Sequence, residues 1–407
     1  MKRFFSTLAV LVALPALQIE AREHPLEPPD LDRYVRWGPV RVRPGFGITN
    51  LGYDDNVFFA SGNQPRQGDY RVTVSPSLDG LVLFGDRAFL TFQEKLAYTF
   101  YRKFNEQNFQ DQSFTTRTTF PLGRMGFFAE LDLARGKYRP SSELDTRLDR
   151  RENRVGLGII LELGWRTFAE IERTRTDLEH SDPDIASVDN LLDRVEHGNE
   201  LRLEYRLAGR TRLTLEAAIN KITFDDPTAG RDSREKSLLP GVRFGEGGRL
   251  SGSMALGVTR IDLRDPQERD FSGLVGEAQL AYRLGRGTTL QLGGKREVDF
   301  AVFQQNNFFL DRSASTRVIH FFGRVLGFEV GGRRGKLTFP ESGAVVERVD
   351  LITEYDLGIR VRLLENALGK RVEYTLKWQH YRRDSNPPFD NLDQSRSTIG
   401  LGVVVGF

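Results

Sequence analysis

The stretch ELRLEYRL, residues 200–207, alternates charged and apolar residues without a break. Successive side chains of a β-strand point to opposite faces, so its leucines and Tyr205 would share one face and its charged residues the other. Such alternation favours a strand over a helix. The same pattern recurs in RVGLGIILEL (154–163), LITEYDLGIRVRL (351–363) and VEYTLKWQ (372–379). The chain is therefore predicted to consist of long amphipathic strands.

A short turn motif recurs roughly every 40 residues along the chain. It consists of an apolar residue, a glycine, in some cases a spacer, and an arginine. The motif occurs at 84–87, 122–124, 163–166, 207–210, 244–249, 284–286 and 322–324, with a looser form at 363–371. Longer polar segments lie halfway between the motifs, for example at 61–69, 180–190, 225–235 and 384–394. This rhythm predicts hairpins, in which eight tight turns and nine longer loops separate about 18 strands.

The length and polarity of these strands favour a membrane protein over a soluble one. The strands are expected to be roughly 10 to 15 residues long, whereas soluble strands average about five or six. A soluble sandwich or propeller would have to bury the charged faces or expose the apolar ones. In a membrane barrel the apolar face meets lipid and the charged face meets a water-filled lumen. The predicted fold is all-β: a transmembrane antiparallel β-barrel of about 18 strands, without a plug domain and with both termini on the tight-turn side.

The two ends of the chain indicate export to the outer membrane. Residues 1–21 have a basic start, an apolar segment and a cleavage site after Ala21, which is the pattern of a cleaved signal peptide. Residues 22–39 are expected to form a short periplasmic tether, and 40–407 the barrel. The final amphipathic strand ends on Phe407, which resembles the signal that the barrel assembly machinery reads. The protein is therefore expected to be an integral protein of the bacterial outer membrane, in contact with its lipid.

Composition and motifs give little reason to expect catalysis or nucleic-acid binding. The formal net charge is only +2, and no cysteine is present to form a disulfide, a thiolate metal site or a nucleophile. The five histidines are scattered, and neither HExxH nor GxSxG occurs. We expect no catalytic residue, no cofactor and no metal centre. An outer-membrane enzyme remains as a third functional class, with the adjacent His180 and Ser181 as its candidate pair.

The first strand and one later segment resemble a known family. Tyr53, Asp54, Asp55 and Asn56, together with residues 271–309 and the absence of a plug, resemble the Putative beta-barrel porin 2 family over most of 40–407. Members of this family are similar to barrels encoded with exopolysaccharide or capsule secretion systems. The resemblance implies an outer-membrane conduit that works with a periplasmic polysaccharide-export protein. It does not identify the sugar.

Alternation assigns a set of charged residues to the inner face of the barrel. These candidate pore-lining residues are Glu130, Asp132, Glu170, Glu172, Arg202, Glu204, Arg206, Glu354, Asp356, Arg360, Arg362, Glu373 and Lys377. A ring of one sign would select ions, whereas interleaved signs keep a wall polar and suit a hydrated, weakly charged solute. For any single residue, pairing across strands that only stabilises the barrel is the favoured explanation, whereas the set as a whole predicts a polar lumen.

Aromatic residues near strand ends fit the girdles of a membrane barrel. On the turn side they are Phe84, Phe89, Trp165, Phe168, Phe321 and Phe407, and on the loop side Phe58, Phe59, Phe100, Tyr138, Phe303 and Tyr381. Some of these rings could line a sugar path instead. The longest loop, at about 178–194, is expected either to stay outside or to fold inward and narrow the channel.

The segment GITNLGYDDNVFF (47–59) is predicted to be the first barrel strand, rising to the outer rim. If Tyr53, Val57 and Phe59 face lipid, Asp54 and Asn56 face the lumen. Asp55 would then lie at the rim or on a bulge, because a charge facing lipid near the midplane is costly. Asp54 and Asn56 are expected to fix the mouth by hydrogen bonds to neighbouring strands or loops. A Ca²⁺ site at this cluster is an alternative, since oxygen ligands suit that ion.

Two transport functions follow from this sequence. The first is a passive conduit for an exported extracellular or capsular polysaccharide, which needs periplasmic partners. The second is a general or substrate-selective diffusion porin for small hydrophilic solutes. The substrate and the direction of transport are left open by the sequence.

Overall fold

The computed structural model describes residues 25–62, 64–139, 144, 147–181, 192–226, 230–245, 247–265, 269–302, 307–341, 346–363 and 371–406. The strands are β1 Val35–Trp37, β2 Val40–Asp54, β3 Asp69–Leu83, β4 Phe89–Tyr101, β5 Phe109–Leu122, β6 Met125–Tyr138, β7 Leu148–Gly164, β8 Thr167–Ser181, β9 Arg194–Ala208, β10 Thr211–Phe224, β11 Ser233–Phe244, β12 Leu250–Leu263, β13 Phe271–Leu284, β14 Thr288–Phe300, β15 Phe308–Phe322, β16 Leu326–Phe339, β17 Arg348–Leu363, β18 Arg371–Ser385 and β19 Gln394–Gly406. Short 3-10 turns lie at Leu31–Arg33, Asn105–Gln107 and Asp390–Leu392. None of the helical segments in these ranges is long and apolar enough to cross a membrane.

The sheet closes on itself because the last strand pairs with the first long one. Each of β2 to β19 is antiparallel to its neighbours, and β19 pairs with β2 through Ile399 opposite Tyr53. The predicted closed antiparallel barrel of 18 strands, β2 to β19, is thereby confirmed, and no plug is evident in the described part of the chain. The seam contains an irregularity, at which the pairing register shifts around Asn50, whose φ is 54°.

The tight turns lie where the glycine–arginine motif places them. Seven of the motifs fall on connections between consecutive strands, for example residues 84–87 between β3 and β4, and the looser eighth at 363–371 lies mostly outside the described residues. The motif contains glycine because several of these turns need a left-handed backbone that other residues rarely adopt. The turn glycines with positive φ are Gly85, Gly123, Gly209, Gly245, Gly285 and Gly323. The nine intervening connections have at least seven residues each, whereas the seven strict motifs lie on connections of two to five residues.

The outer face of the barrel carries a continuous apolar band. One row of it runs across paired strands through Ile171, Leu201, Ala217, Leu238, Val258 and Leu274. Their alternating neighbours point inward, so that a strand such as β12 exposes Leu256 (63%) outside and turns Ala255 to the inside. This is the apolar-out, polar-in alternation that lipid and a wet lumen require.

The N-terminal segment enters the turn side of the lumen. Leu26 is buried against Phe128 and Ile160, which project inward from β6 and β7. Further along, β1 pairs with the start of β2, with Val35 opposite Val42. Residues 1–24, which include the predicted signal peptide and the beginning of the tether, lie outside the described residues.

The predicted aromatic girdles are only partly realised. Phe84, Trp165 and Phe100 are exposed on the outside. Phe59 and Phe89 are instead buried, at 7% and 8% exposure. Four further rings point inward. Phe168 lies opposite Glu204 in the strand pairing, and the Phe321 ring lies 4.0 Å from the Arg362 guanidinium. The Tyr138 hydroxyl is hydrogen-bonded to His180, and Tyr381 packs on an inner apolar cluster. Phe58 packs on Phe104 at 4.9 Å, and Phe303 and Phe407 lie outside the described residues.

The two faces of β12 give a direct test of this architecture. Replacing Leu256, on the outer face, with arginine should destabilise the barrel by about 2–4 kcal/mol, because the charge would face hydrocarbon. Replacing Ala255, which points inward opposite Glu277, with arginine should lower the free energy of unfolding by less than half as much. Urea unfolding in phospholipid vesicles, followed by the heat-dependent shift of the barrel on gels, measures both. Equal losses would contradict the assignment of the faces.

Candidate functional site

Two networks of ion pairs line opposite parts of the inner wall. The first extends over β5 to β11, with arginines on β5, β7, β10 and β11, carboxylates on β6 and β8, and both signs on β9. Arg154 is its centre, with contacts of 2.8 Å to Glu130, 2.9 Å to Asp132 and 2.5 Å to Glu172. The remaining members are Arg117, Glu170, Arg202, Glu200, Glu204, Arg212 and Arg243, each within 4.0 Å of a partner in the network.

The second network covers β14 to β18 and is organised around Glu329. This carboxylate is nearly inaccessible and lies 3.0 Å from Arg317 and within ion-pair distance of Arg360. The Lys377 ammonium lies 3.9 Å from Glu329 and 3.6 Å from Asp356, too far for direct hydrogen bonds. The other members are Lys295, Glu297, Asp311, Arg333, Glu354, Arg362 and Glu373.

The charges of the two networks nearly cancel. The first contains five arginines and six carboxylates, and the second contains six basic side chains and six carboxylates. A wall in which each charge faces its opposite has no strong net field along the lumen. Such a wall attracts water without strongly favouring cations or anions.

The residues that alternation assigned to the lumen fall largely within these networks. Twelve of them have ion-pair partners on neighbouring strands. Arg206 is the exception, since it lies exposed near the turn end of β9. Sequence reasoning missed the arginines that join the carboxylates, Arg117, Arg154, Arg317 and Arg333. They could have been found by extending the alternation along every strand, because each occupies an inward position.

The mouth on the loop side is fixed by the end of the first barrel strand. Asp54, the last residue of β2, is completely buried, and both of its carboxylate oxygens accept hydrogen bonds from Arg396 on β19. Arg71 on β3 lies 3.7 Å away. An uncompensated buried charge costs several kcal/mol. The Asp54 carboxylate with its two arginines therefore ties β2, β3 and β19 together at the seam.

Asn56 and Asp55 continue this connection beyond the strand. The Asn56 side-chain amide donates to the carbonyls of Ala60 and Ser395, both at 3.0 Å, and its oxygen accepts from the Ala60 amide. Asp55 lies past the end of β2, where its carboxylate accepts from the Ser397 amide at 2.6 Å. The hydrogen bonds expected from Asp54 and Asn56 are therefore present, and Asp55 lies at the rim. No group of three or more potential metal-ligating side chains occurs among the described residues.

Val57 and Phe59 do not face lipid, and this expectation was wrong. The strand ends at Asp54, and the chain then turns into the mouth, which buries Val57 and Phe59. The turn requires a left-handed backbone at Phe59, with φ of 56°. Such a conformation is uncommon for a bulky residue and is held here by the bonds of Asn56. The alternation of a strand could not predict it, because the period changes once the strand has ended.

Phe59 is the centre of a cluster that we call the mouth cluster: Phe59, Arg139, Arg147, Gln394 and Arg396. The three guanidinium groups lie 5.1, 4.9 and 4.5 Å from its ring. Gln394 accepts from Arg139 at 3.0 Å and donates to the Phe59 carbonyl, so the β6–β7 loop is linked to β19. Burial lowers the pKa of Arg147, and its nearby Tyr101 hydroxyl opposes this shift. Cation–π contacts compensate part of the cost of burying these charges.

A second inward segment follows β14. Val302 packs with Leu148 of β7, Leu144 of the β6–β7 loop and Leu192 of the β8–β9 loop. Ala301, beside it, packs on the other side against the inner cluster of Phe309, Leu337, Phe339 and Ile352. Because β7 and β14 are seven strand positions apart around the barrel, this packing connects distant parts of the wall near its outer end. Residues 182–191 of the longest loop lie outside the described residues, although Leu192 at its end joins this packing.

Below these contacts the lumen keeps an internal cavity of about 260 Å³. Its lining includes Arg202, Glu204, Arg243 and Lys295 from the two networks. Phe300 closes it toward the mouth, with its ring 5.2 Å from that of Phe224. The interior thus combines a polar wall with a mouth narrowed by aromatic, aliphatic and guanidinium groups.

The seam at the mouth predicts a strong effect from Arg396. Replacing it with glutamine should destabilise the barrel by about 3 kcal/mol, because Asp54 would stay buried with Arg71 as a distant partner. The double variant D54N/R396Q should recover much of this loss, since it removes both charges. Urea midpoints in vesicles compare the three proteins. A double variant as unstable as R396Q would show that the pair itself is not the cause.

The balance of charge along the wall predicts weak ion selectivity. The wild-type channel in a planar bilayer should show a reversal potential near zero under a KCl gradient. Replacing Arg154 with glutamine leaves three carboxylates without their shared cation and should shift the channel toward cations. Replacing Arg206, which has no ion pair among the described residues, is the matched control and should shift it less. An anion-selective R154Q channel would contradict this wall.

Comparison with solved structures shows similarity to outer-membrane channels. The outer membrane protein OpdK of Pseudomonas aeruginosa shares 12% identity at a TM-score of 0.50, with 90% of this chain and 99% of that chain covered. OccK9 (OpdG) of the same organism gives 13% and 0.52, with 90% and 98% covered. A BenF-like porin from Pseudomonas fluorescens Pf-5 gives 12% and 0.51, with 90% and 99% covered. At these identities the likeness shows the fold alone.

The family assignment comes from the sequence itself. No curated protein matches the chain. The family model described as Putative beta-barrel porin 2, however, matches residues 35–407, which include every strand of the barrel. With its closed barrel of 18 strands and its polar inner wall, the chain belongs to the Putative beta-barrel porin 2 family.

Proposed function

We propose that this outer-membrane channel is a passive conduit for an exported extracellular or capsular polysaccharide. The observation that carries the proposal is the inner wall, where two charge-balanced networks present alternating donors and acceptors along opposite sides of the lumen. A hydrated sugar chain exchanges hydrogen bonds with such a wall without being held by a net charge. Weak, distributed contacts suit translocation, because tight binding at one place would stop it.

The mouth adds a preference for acidic sugars. Three guanidinium groups surround Phe59, and Asp54 accepts from one of them, Arg396. Arginine binds carboxylates with paired hydrogen bonds, and an aromatic ring provides a flat surface for a sugar ring. A uronic-acid unit that reaches the mouth would therefore compete with the ring of Phe59 for Arg139 and Arg147. This competition would open the mouth cluster as the chain passes.

Passage to the outside also requires a periplasmic partner. Leu26 occupies the turn side of the lumen, against Phe128 and Ile160. A periplasmic polysaccharide-export protein that docks on the tight turns would displace this segment when it delivers the chain. The pore-lining roles of the two networks and the assembly role of Phe407 belong to the same proposal, as does the removal of residues 1–21 on export.

A diffusion porin for small acidic solutes is the second candidate. The same arginine-rich mouth favours it, and the barrel resembles OpdK, one structure of which contains vanillate. In that case the mouth cluster would act as a selectivity filter for single carboxylates. The uptake of small carboxylates would then depend on the barrel, and the export of polysaccharide would not.

Deletion of the gene in its native host separates the two candidates. Under the export proposal, surface polysaccharide falls to the background level and returns with the wild-type gene, while uptake of small carboxylates is unchanged. Normal surface polysaccharide with reduced uptake of carboxylates would overturn the export proposal and support the diffusion porin.

A further inference from the structure

The outer face of β8 to β12 carries an unexpected strip of basic residues. Two adjacent rows of paired positions cross these five strands just on the loop side of the apolar band. The first row is Arg173, Asn199, Ile219, Lys236 and Arg260, and the second is Arg175, His197, Lys221, Arg234 and Asp262. Six of these ten residues are basic and one is acidic. The next row toward the turns is entirely apolar, from Ile171 to Val258.

Half of these cations already have an ion-pair partner. Arg175 pairs with Asp177 at 2.9 Å, and Lys236 and Arg260 share Asp262. Arg173, Lys221 and Arg234 are exposed, and among the described residues none of them makes a hydrogen bond or ion pair. They surround a shallow surface pocket, together with His197, Asn199 and Ile219. The unpaired cations are thus gathered in one place on the strip.

The arrangement is unfavourable without an anion. Lys221 lies directly opposite Arg234 in the β10–β11 pairing, and like charges in such positions repel. The neighbouring Asn199 and His197 side chains can donate further hydrogen bonds. A ligand with several phosphate oxygens would satisfy all of these groups and remove the repulsion.

We propose that this pocket binds the phosphate headgroup of a membrane lipid in the leaflet on the loop side of the barrel. The position decides between a lipid and a soluble anion. Ile219 lies within the pocket, and the apolar row begins one residue pair below it, so a ligand here has its headgroup on the cations and its acyl chains on the apolar band. The pocket faces away from the lumen, and a transported solute does not pass it.

The test uses purified full-length mature barrel in detergent and native mass spectrometry with bisphosphorylated lipid A. The variant R173Q/K221Q/R234Q should bind this lipid at least about tenfold more weakly, since each basic side chain at a lipid surface contributes roughly fivefold. The charge-preserving variant R173K/K221R/R234K should bind nearly as well as the wild type. The variant R124Q/R286Q/R324Q, which removes three charges from the turns, should lose little. Heat-dependent gel migration verifies that each barrel is folded.

Four results would overturn the proposal. The first is equal binding by the neutral pocket variant, and the second is an equal loss in the turn variant, which would show an effect of net charge. The third is equal binding of lipid A without its phosphates. Full competition by inorganic phosphate at millimolar concentration would likewise show a free-anion site.

A stability measurement keeps the proposal testable if the triple variant does not fold. K221Q alone removes the repulsion with Arg234, so in phosphatidylcholine vesicles it should unfold at higher urea than the wild type. With lipid A present the order should reverse, because the wild type gains more from the bound phosphate. If K221Q unfolded at higher urea than the wild type both with and without lipid A, the result would contradict the proposed lipid site.

Discussion

Closure of the sheet is the constraint on which the rest of the molecule depends. In hydrocarbon, an unpaired backbone amide or carbonyl has no water to bond and costs several kcal/mol, so a sheet that spans the membrane cannot keep an edge. The pairing of β19 with β2 removes that edge. It also brings Arg396 onto Asp54, and from there the contacts extend through Asn56 to Phe59 and the mouth cluster. The seam and the mouth are consequently held by one continuous set of contacts.

The interior shows how a wide barrel can be charged and still be stable. Each buried carboxylate would be costly alone, yet Glu172 and Glu329 each contact at least two cations on neighbouring strands. Ion pairs across strands add side-chain contacts to the backbone pairing. The same pairs leave the lumen polar and nearly neutral. Stability and permeation to hydrated solutes therefore depend on the same residues, and single substitutions in the wall should alter both.

The sequence predicted the barrel well because lipid and water impose a period of two along every strand. The inward position of residues such as Glu130 and Glu354 followed from that period. The strand number and the turns followed from the recurring glycine–arginine motif and the polar segments between its copies. The mouth did not follow from it. Phe59 leaves the strand on a left-handed backbone, and Val302 reaches partners seven strands away. These contacts depend on where loops fold, for which alternation carries no signal. The basic strip could not be predicted from the sequence either, because its members are far apart in the chain and only the pairing register of the strands brings them together.

The seam has a consequence for biogenesis. Asp54 and Arg396 are 342 residues apart in the chain, so their contact joins two distant parts of the sequence, like the other contacts of this seam. Contacts of such separation form late, because the chain must first lose the entropy of everything between them. The fit is also close at this point, since a side chain at Gly52 would lie 1.8 Å from the Ile399 carbonyl oxygen. A barrel stalled during insertion would thus have neither a seam nor an ordered mouth.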